Sequence, residues 1–134
     1  MDSMAFEVEL AMPYADAVGA VEAALQQEGF GVLTRIDAHE AFKEKLDVDF
    51  RPYSILGACN PPLAHKALSN RPEVGLMLPC NVVVESIGSD RSLVRILDPQ
   101  AMMQAGGFDQ DPVLAEVGGE AESRLRRVAL ALQS

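Results

Sequence analysis

The sequence predicts a single α+β domain, residues 1–134, with a mostly antiparallel sheet and helices packed on one face. Three observations carry this. The 134 residues suffice for one hydrophobic core and leave no room for a second. Apolar residues make up 49% and charged ones 23%, the balance of a chain that buries a core. Segments of alternating and of helical period succeed one another as β-α-β-α-β-α-β-β-α, and a turn at Ile87-Gly88-Ser89-Asp90-Arg91 makes the last two strands antiparallel neighbours.

Residues 1–4 are expected to be disordered. Phe6-Glu7-Val8-Glu9-Leu10 alternates apolar and acidic side chains, as a half-buried strand does. Tyr14, Ala17, Val18, Val21 and Leu25 then recur at helical spacing, with Pro13 before the first turn and Gly29 suited to a left-handed helix end. Gly31 to Ile36 reads as a second strand, closing a compact strand-helix-strand unit with the first. Asp37 is placed to cap a short helix from Ala38 to Leu46.

Tyr53 to Cys59 is apolar on both faces and reads as an interior strand. Asn60 is a good helix N-cap and Pro61 suits the first helical position, so a helix begins directly after Cys59 and breaks at Asn70-Arg71-Pro72. Val74 to Glu85 reads as one long strand kinked at Pro79. Ser92 to Leu97 returns from the hairpin turn, and a short helix containing Met102 and Met103 follows Asp98-Pro99. Asp111-Pro112 caps a terminal helix whose Leu114, Val117, Ala121, Leu125, Val128 and Leu132 keep helical period. Glu120 with Arg124 and Glu122 with Arg126 are favourable i,i+4 pairs on its other face.

Twenty acidic against eleven basic residues give a formal net charge of -9, which repels phosphate backbones and anionic lipid, so neither nucleic acid nor membrane is an expected partner. The amino terminus carries no signal-peptide pattern and no run of eighteen apolar residues occurs, so the expected location is the cytoplasm. There Cys59 and Cys80 are expected as free thiols. Zinc modules, phosphate-binding glycine loops and the common hydrolase motifs are absent from the sequence.

Chemistry concentrates at Gly57-Ala58-Cys59-Asn60-Pro61-Pro62. A thiol directly before a helix start faces unpaired backbone N–H groups and the positive end of the helix dipole, which favours its thiolate. Pro79-Cys80-Asn81 repeats the pattern beside a strand. Cys59, His65 and Cys80 offer at most three metal ligands at spacings that match no zinc module, and no metal ligand is assigned. His65 reads as a partly exposed helical histidine.

These segments, with Phe42-Lys43-Glu44-Lys45-Leu46 and Gly29-Phe30-Gly31-Val32-Leu33, make the chain resemble the domain of unknown function 302 family from about Phe6 to about Leu132. The resemblance implies a small bacterial or archaeal α+β domain able to dimerise, whose members as a class lack an assigned activity. It maps the family's two cysteine segments onto Cys59-Asn60-Pro61 and Pro79-Cys80-Asn81. Asp47 stands where a glycine is expected.

The preferred reading is therefore a binding module, without turnover. Its pocket is built from Cys59, Asn60, Cys80, Asn81 and His65 and holds a small molecule or a soft metal. The alternatives are a thiol-redox protein, with Cys59 attacking and Cys80 resolving, and a structural homodimer in which both cysteines are merely packed.

Overall fold

The computed structural model describes residues 4–133, so of residues 1–4, expected to be disordered, the first three lie outside the described residues. The Met4 carbonyl accepts a hydrogen bond from the Asp98 N–H at 2.8 Å. The chain then runs β1 (Ala5–Leu10), α1 (Tyr14–Gln27), β2 (Gly31–Asp37), α2 (Ala38–Leu46), β3 (Tyr53–Cys59) and α3 (Pro61–Asn70). A 3-10 turn (Pro72–Met77) leads to β4 (Cys80–Gly88), β5 (Arg91–Leu97) and α4 (Pro99–Ala105), and a second one (Phe108–Gln110) to α5 (Pro112–Gln133). Among the described residues no helix is long and apolar enough to cross a membrane.

The five strands form one sheet in the order β1-β5-β4-β3-β2, every neighbouring pair antiparallel. The α+β reading therefore holds, with β3 in the sheet interior as its two apolar faces require. The compact opening unit does not form. Residues 5–10 pair with residues 92–97, so β1 and β2 occupy opposite edges and α1 crosses the sheet between them.

Alternation sends Val8, Leu10, Leu56, Val82, Val84, Val94 and Ile96 to one face, where α1 and α5 cover them with Val18, Val21, Leu25, Leu125 and Val128. A second cluster lies beyond the sheet end, built by Ala67, Val74, Met102, Met103, Leu114 and Val117 from α3, the first 3-10 turn, α4 and α5. Gly118 lets α4 approach α5, since a Cβ there would lie 3.2 Å from Met103 Cγ. Asp98 and Asp111 cap α4 and α5, the Asp111 carboxylate accepting from the Val113 and Leu114 N–H groups at 2.9 and 3.2 Å.

Two expected elements differ. Val74 to Glu85 is not one strand: Pro72 opens a 3-10 turn, a cis Leu78–Pro79 bond follows, and pairing starts only at Cys80, after the proline that has no N–H to give a ladder. Asp37 does not cap α2 with its side chain, because its carboxylate is engaged by Arg35 at 2.9 Å and by the Ser54 hydroxyl at 2.8 Å. Helix α2 itself buries no residue and ends at Asp47, whose φ of 54° is the left-handed conformation that explains the expected glycine.

Gly57 sits where β2, β3 and the Pro79 segment meet. A Cβ there would stand 2.2 Å from Thr34 Oγ1 and 2.8 Å from Pro79 Cγ. Gly57→Ala is accordingly expected to destabilise the fold by about 1–3 kcal/mol, the usual cost of overpacking. Urea unfolding with an unchanged midpoint would contradict this packing.

Candidate functional site

Three chain segments converge at one end of the sheet. Strand β3 ends at Cys59, α3 starts two residues later, and β4 begins at Cys80, which pairs with Ala58. Asn60 fixes the junction. Its side-chain Oδ1 accepts from the Leu63 N–H at 3.3 Å, as an N-cap does, and its Nδ2 donates to the Glu28 carbonyl at the end of α1, at 3.4 Å. Arg124 of α5 donates to the same carbonyl at 3.1 Å.

Between this junction and the second hydrophobic cluster lies a cavity of ≈ 380 Å³. Phe30, Leu63, Ala64, Leu78, Met103 and Val117 supply much of its wall. Its polar wall groups are few: Thr34, Asn60 and the two thiols, with no charged side chain among the described residues. Leu33 and Leu68, both well exposed, reach from its wall to the surface. The volume falls in the range of small-molecule sites.

Of the residues that the sequence brings forward, the structure gathers Cys59, Asn60 and Cys80 around this cavity and leaves out the other two. His65 is exposed on the outward side of α3, one residue past the cavity-lining Leu63-Ala64 pair. Asn81 is exposed because alternation turns it to the sheet face opposite Cys80.

The two thiols differ in environment. Both are free, Cys59 half-buried and Cys80 buried. Burial, followed by the nearby Cys59 charge, pushes the Cys80 thiol up to about 11, so it is protonated at neutral pH. Because Cys80 sits opposite Ala58, strand alternation points Cys59, the next residue, towards the other face. Among the described residues no group of three or more His, Cys, Asp or Glu is placed to hold a metal ion.

Two polar constellations carry no signal in the sequence. On the edge near α2, the buried Ser54 hydroxyl joins Tyr14 and Asp37, and the Arg35 hydrogen bond holds the Asp37 carboxyl below its usual range. His39 Nδ1 accepts from the Tyr53 N–H at 3.0 Å, pinning the start of α2. On the uncovered sheet face, Glu85 is only 5% exposed and meets both Arg51 and Arg95. Burial opposes its ionisation, but those two hydrogen bonds outweigh it and hold the carboxyl below the usual range. Apart from the neighbouring Arg35 and Asp37, the bonded partners in each cluster stand 10 to 40 residues apart in sequence, and none lines the cavity.

Fold and cavity define a small α+β domain with an apolar, thiol-bearing pocket at one end of an antiparallel sheet. The chain belongs to the family described as Domain of unknown function DUF302, whose model matches residues 6–132. It is similar to an uncharacterized conserved protein DUF302 from Bacillus stearothermophilus in its crystal structure, at 30% identity, with a TM-score of 0.80 and 98% of each chain covered. No curated protein matches the chain.

The contrast between the thiols is directly measurable. In native protein at pH 8, iodoacetamide is expected to label Cys59 at least about tenfold faster than Cys80, with Cys80 reacting only on denaturation. Equal native labelling, read by peptide mass spectrometry, would refute the buried placement of Cys80.

Proposed function

We propose that the protein is a binding module that holds a small, predominantly apolar molecule in the cavity bounded by Cys59, Asn60 and Cys80. The observation that carries this reading is the ≈ 380 Å³ space with an apolar wall, kept open between two packed clusters. The space opens to the surface beside Leu33 and Leu68 and its wall is almost wholly hydrocarbon, so an apolar molecule that displaces water from it is favoured. The wall favours an organic molecule over a soft metal, because its donor set is two thiols and two thioethers dispersed among hydrocarbon. Thiol-redox chemistry draws little support from a Cys80 that burial keeps protonated.

The test is saturable binding of a naphthyl fluorescent probe. Ala64→Phe, which fills the cavity from α3, is expected to weaken binding by about tenfold or more without lowering the thermal midpoint. Native protein that fails to bind the probe saturably, or a variant that binds as well as the native chain, would exclude the cavity as the site.

One observation favours a second, compatible reading, a homodimer. Helix α2 and the loop after it bury nothing and present Phe42, Leu46, Val48 and Phe50 to solvent, Leu46 at 66% exposure. Such an apolar arm suits a second copy of the chain. Sedimentation equilibrium is expected to give a dimer mass that Leu46→Glu with Val48→Glu converts to monomer. A native protein that is monomeric at every concentration rules the dimer out.

A further inference from the structure

The wall of the cavity also restricts what it can hold. A carboxylate or ammonium group inside it would find no opposite charge, since none of the lining side chains is charged. An unpaired charge moved from water into such surroundings is disfavoured far more than an added methylene is favoured. The thiols do not change this: Cys80 is buried among hydrocarbon and protonated.

Asn60 is the exception to the apolar lining. It is 7% exposed, lines the cavity, and is held from both sides by its bonds to Leu63 N–H and the Glu28 carbonyl. Its Oδ1 is occupied by the helix cap. Its Nδ2 carries two N–H groups, and among the described residues it meets one acceptor, at the long distance of 3.4 Å. The amide therefore has an N–H to spare on a side chain whose position the fold fixes. An oxygen acceptor on a ligand would pair with it, whereas a ligand lacking one would leave it unmatched.

We infer that the cavity selects uncharged apolar molecules carrying a hydrogen-bond-accepting oxygen, such as a ketone, ester or alcohol, and that Asn60 reads this oxygen. Asn60 acts here as a specificity-determining residue. The inference rests on the cavity being the binding site, as proposed above. Leu33 and Leu68, exposed at the wall's outer edge, suit the hydrocarbon body of such a molecule as it enters.

A matched set of eight-carbon competitors against the naphthyl probe separates the two claims. For the native protein, 2-octanone is expected to displace the probe about tenfold more effectively than octane, the worth of one net hydrogen bond. Octanoate at pH 7 is expected to be weaker than the ketone by roughly a hundredfold or more, and to gain as falling pH protonates it. Asn60→Asp keeps a capping oxygen for Leu63 but replaces the donor, so within the variant the ratio of ketone to octane affinity is expected to fall to about one, whatever the change in overall affinity. Thermal melting checks that the variant folds, and Asn60→Ser serves as a second cap-retaining variant without the amide donor. Octanoate that competes as well as 2-octanone at pH 7 overturns the neutral-ligand selection, and a ketone preference that survives in both variants overturns the role of Asn60. Either failure leaves probe binding, and so the cavity, standing; loss of probe binding by the native protein removes both.

Discussion

The Glu28 carbonyl is the point on which the cavity depends. It lies past the last turn of α1 and accepts from Asn60 at the β3–α3 junction and from Arg124 on α5. An unsatisfied carbonyl at a helix end has to find a donor, and this one finds two from elements far apart in sequence. Gly29, at φ 84°, turns the chain directly afterwards, and a Cβ there would press on Asn60 Nδ2 at 3.0 Å. Three helices are thereby held at fixed positions around one end of the sheet. With their ends tied, the side chains between them need not collapse to fill the gap.

The two hydrophobic clusters make the same point from the packing side. The larger is a sheet covered by α1 and α5, filled by aliphatic residues as a chain with no tryptophan must be. The smaller hangs from α5 beyond the sheet end and contains both methionines of α4. Methionine adapts to irregular space, so Met102 and Met103 suit the uneven wall of the cavity that they line. Helix α5 runs through both clusters, with Leu125 and Val128 in one and Leu114 and Val117 in the other.

Much of this was legible in the sequence because local rules and tertiary packing agree. Period, caps and turns located the described strands and helices from Phe6 onwards, and Asn60 and Asp111 cap their helices as their positions suggest. The misreadings occur where a long-range contact overrides a local one. Asp37 has the position of a cap, but Ser54, seventeen residues away, and Arg35 take its carboxylate. The apolar run after Val74 looks like strand, yet the prolines at 72 and 79 make a turn that builds the cavity floor. Cys59, Asn60 and Cys80, singled out by their places in the sequence, lie together on the cavity wall. His65 and Asn81 stand apart from that wall, because helix and strand periodicity turns each to the opposite side from its neighbours. The apolar wall was invisible, since its residues are scattered from Phe30 to Ala121 and each reads alone as ordinary core.

The strand order has a consequence for how the chain reaches this state. Three of the five strands pair with their successors along the chain, in β2-β3, β3-β4 and the tight β4-β5 hairpin. Only β1 must wait for a partner that is complete at Leu97. On the ribosome the amino-terminal strand therefore stays unpaired until most of the molecule has emerged. Loop-closure entropy makes its docking a late event for a refolding chain as well. The acidic residues Glu7 and Glu9 alternating along it keep that waiting segment soluble and poorly suited to pairing with strangers.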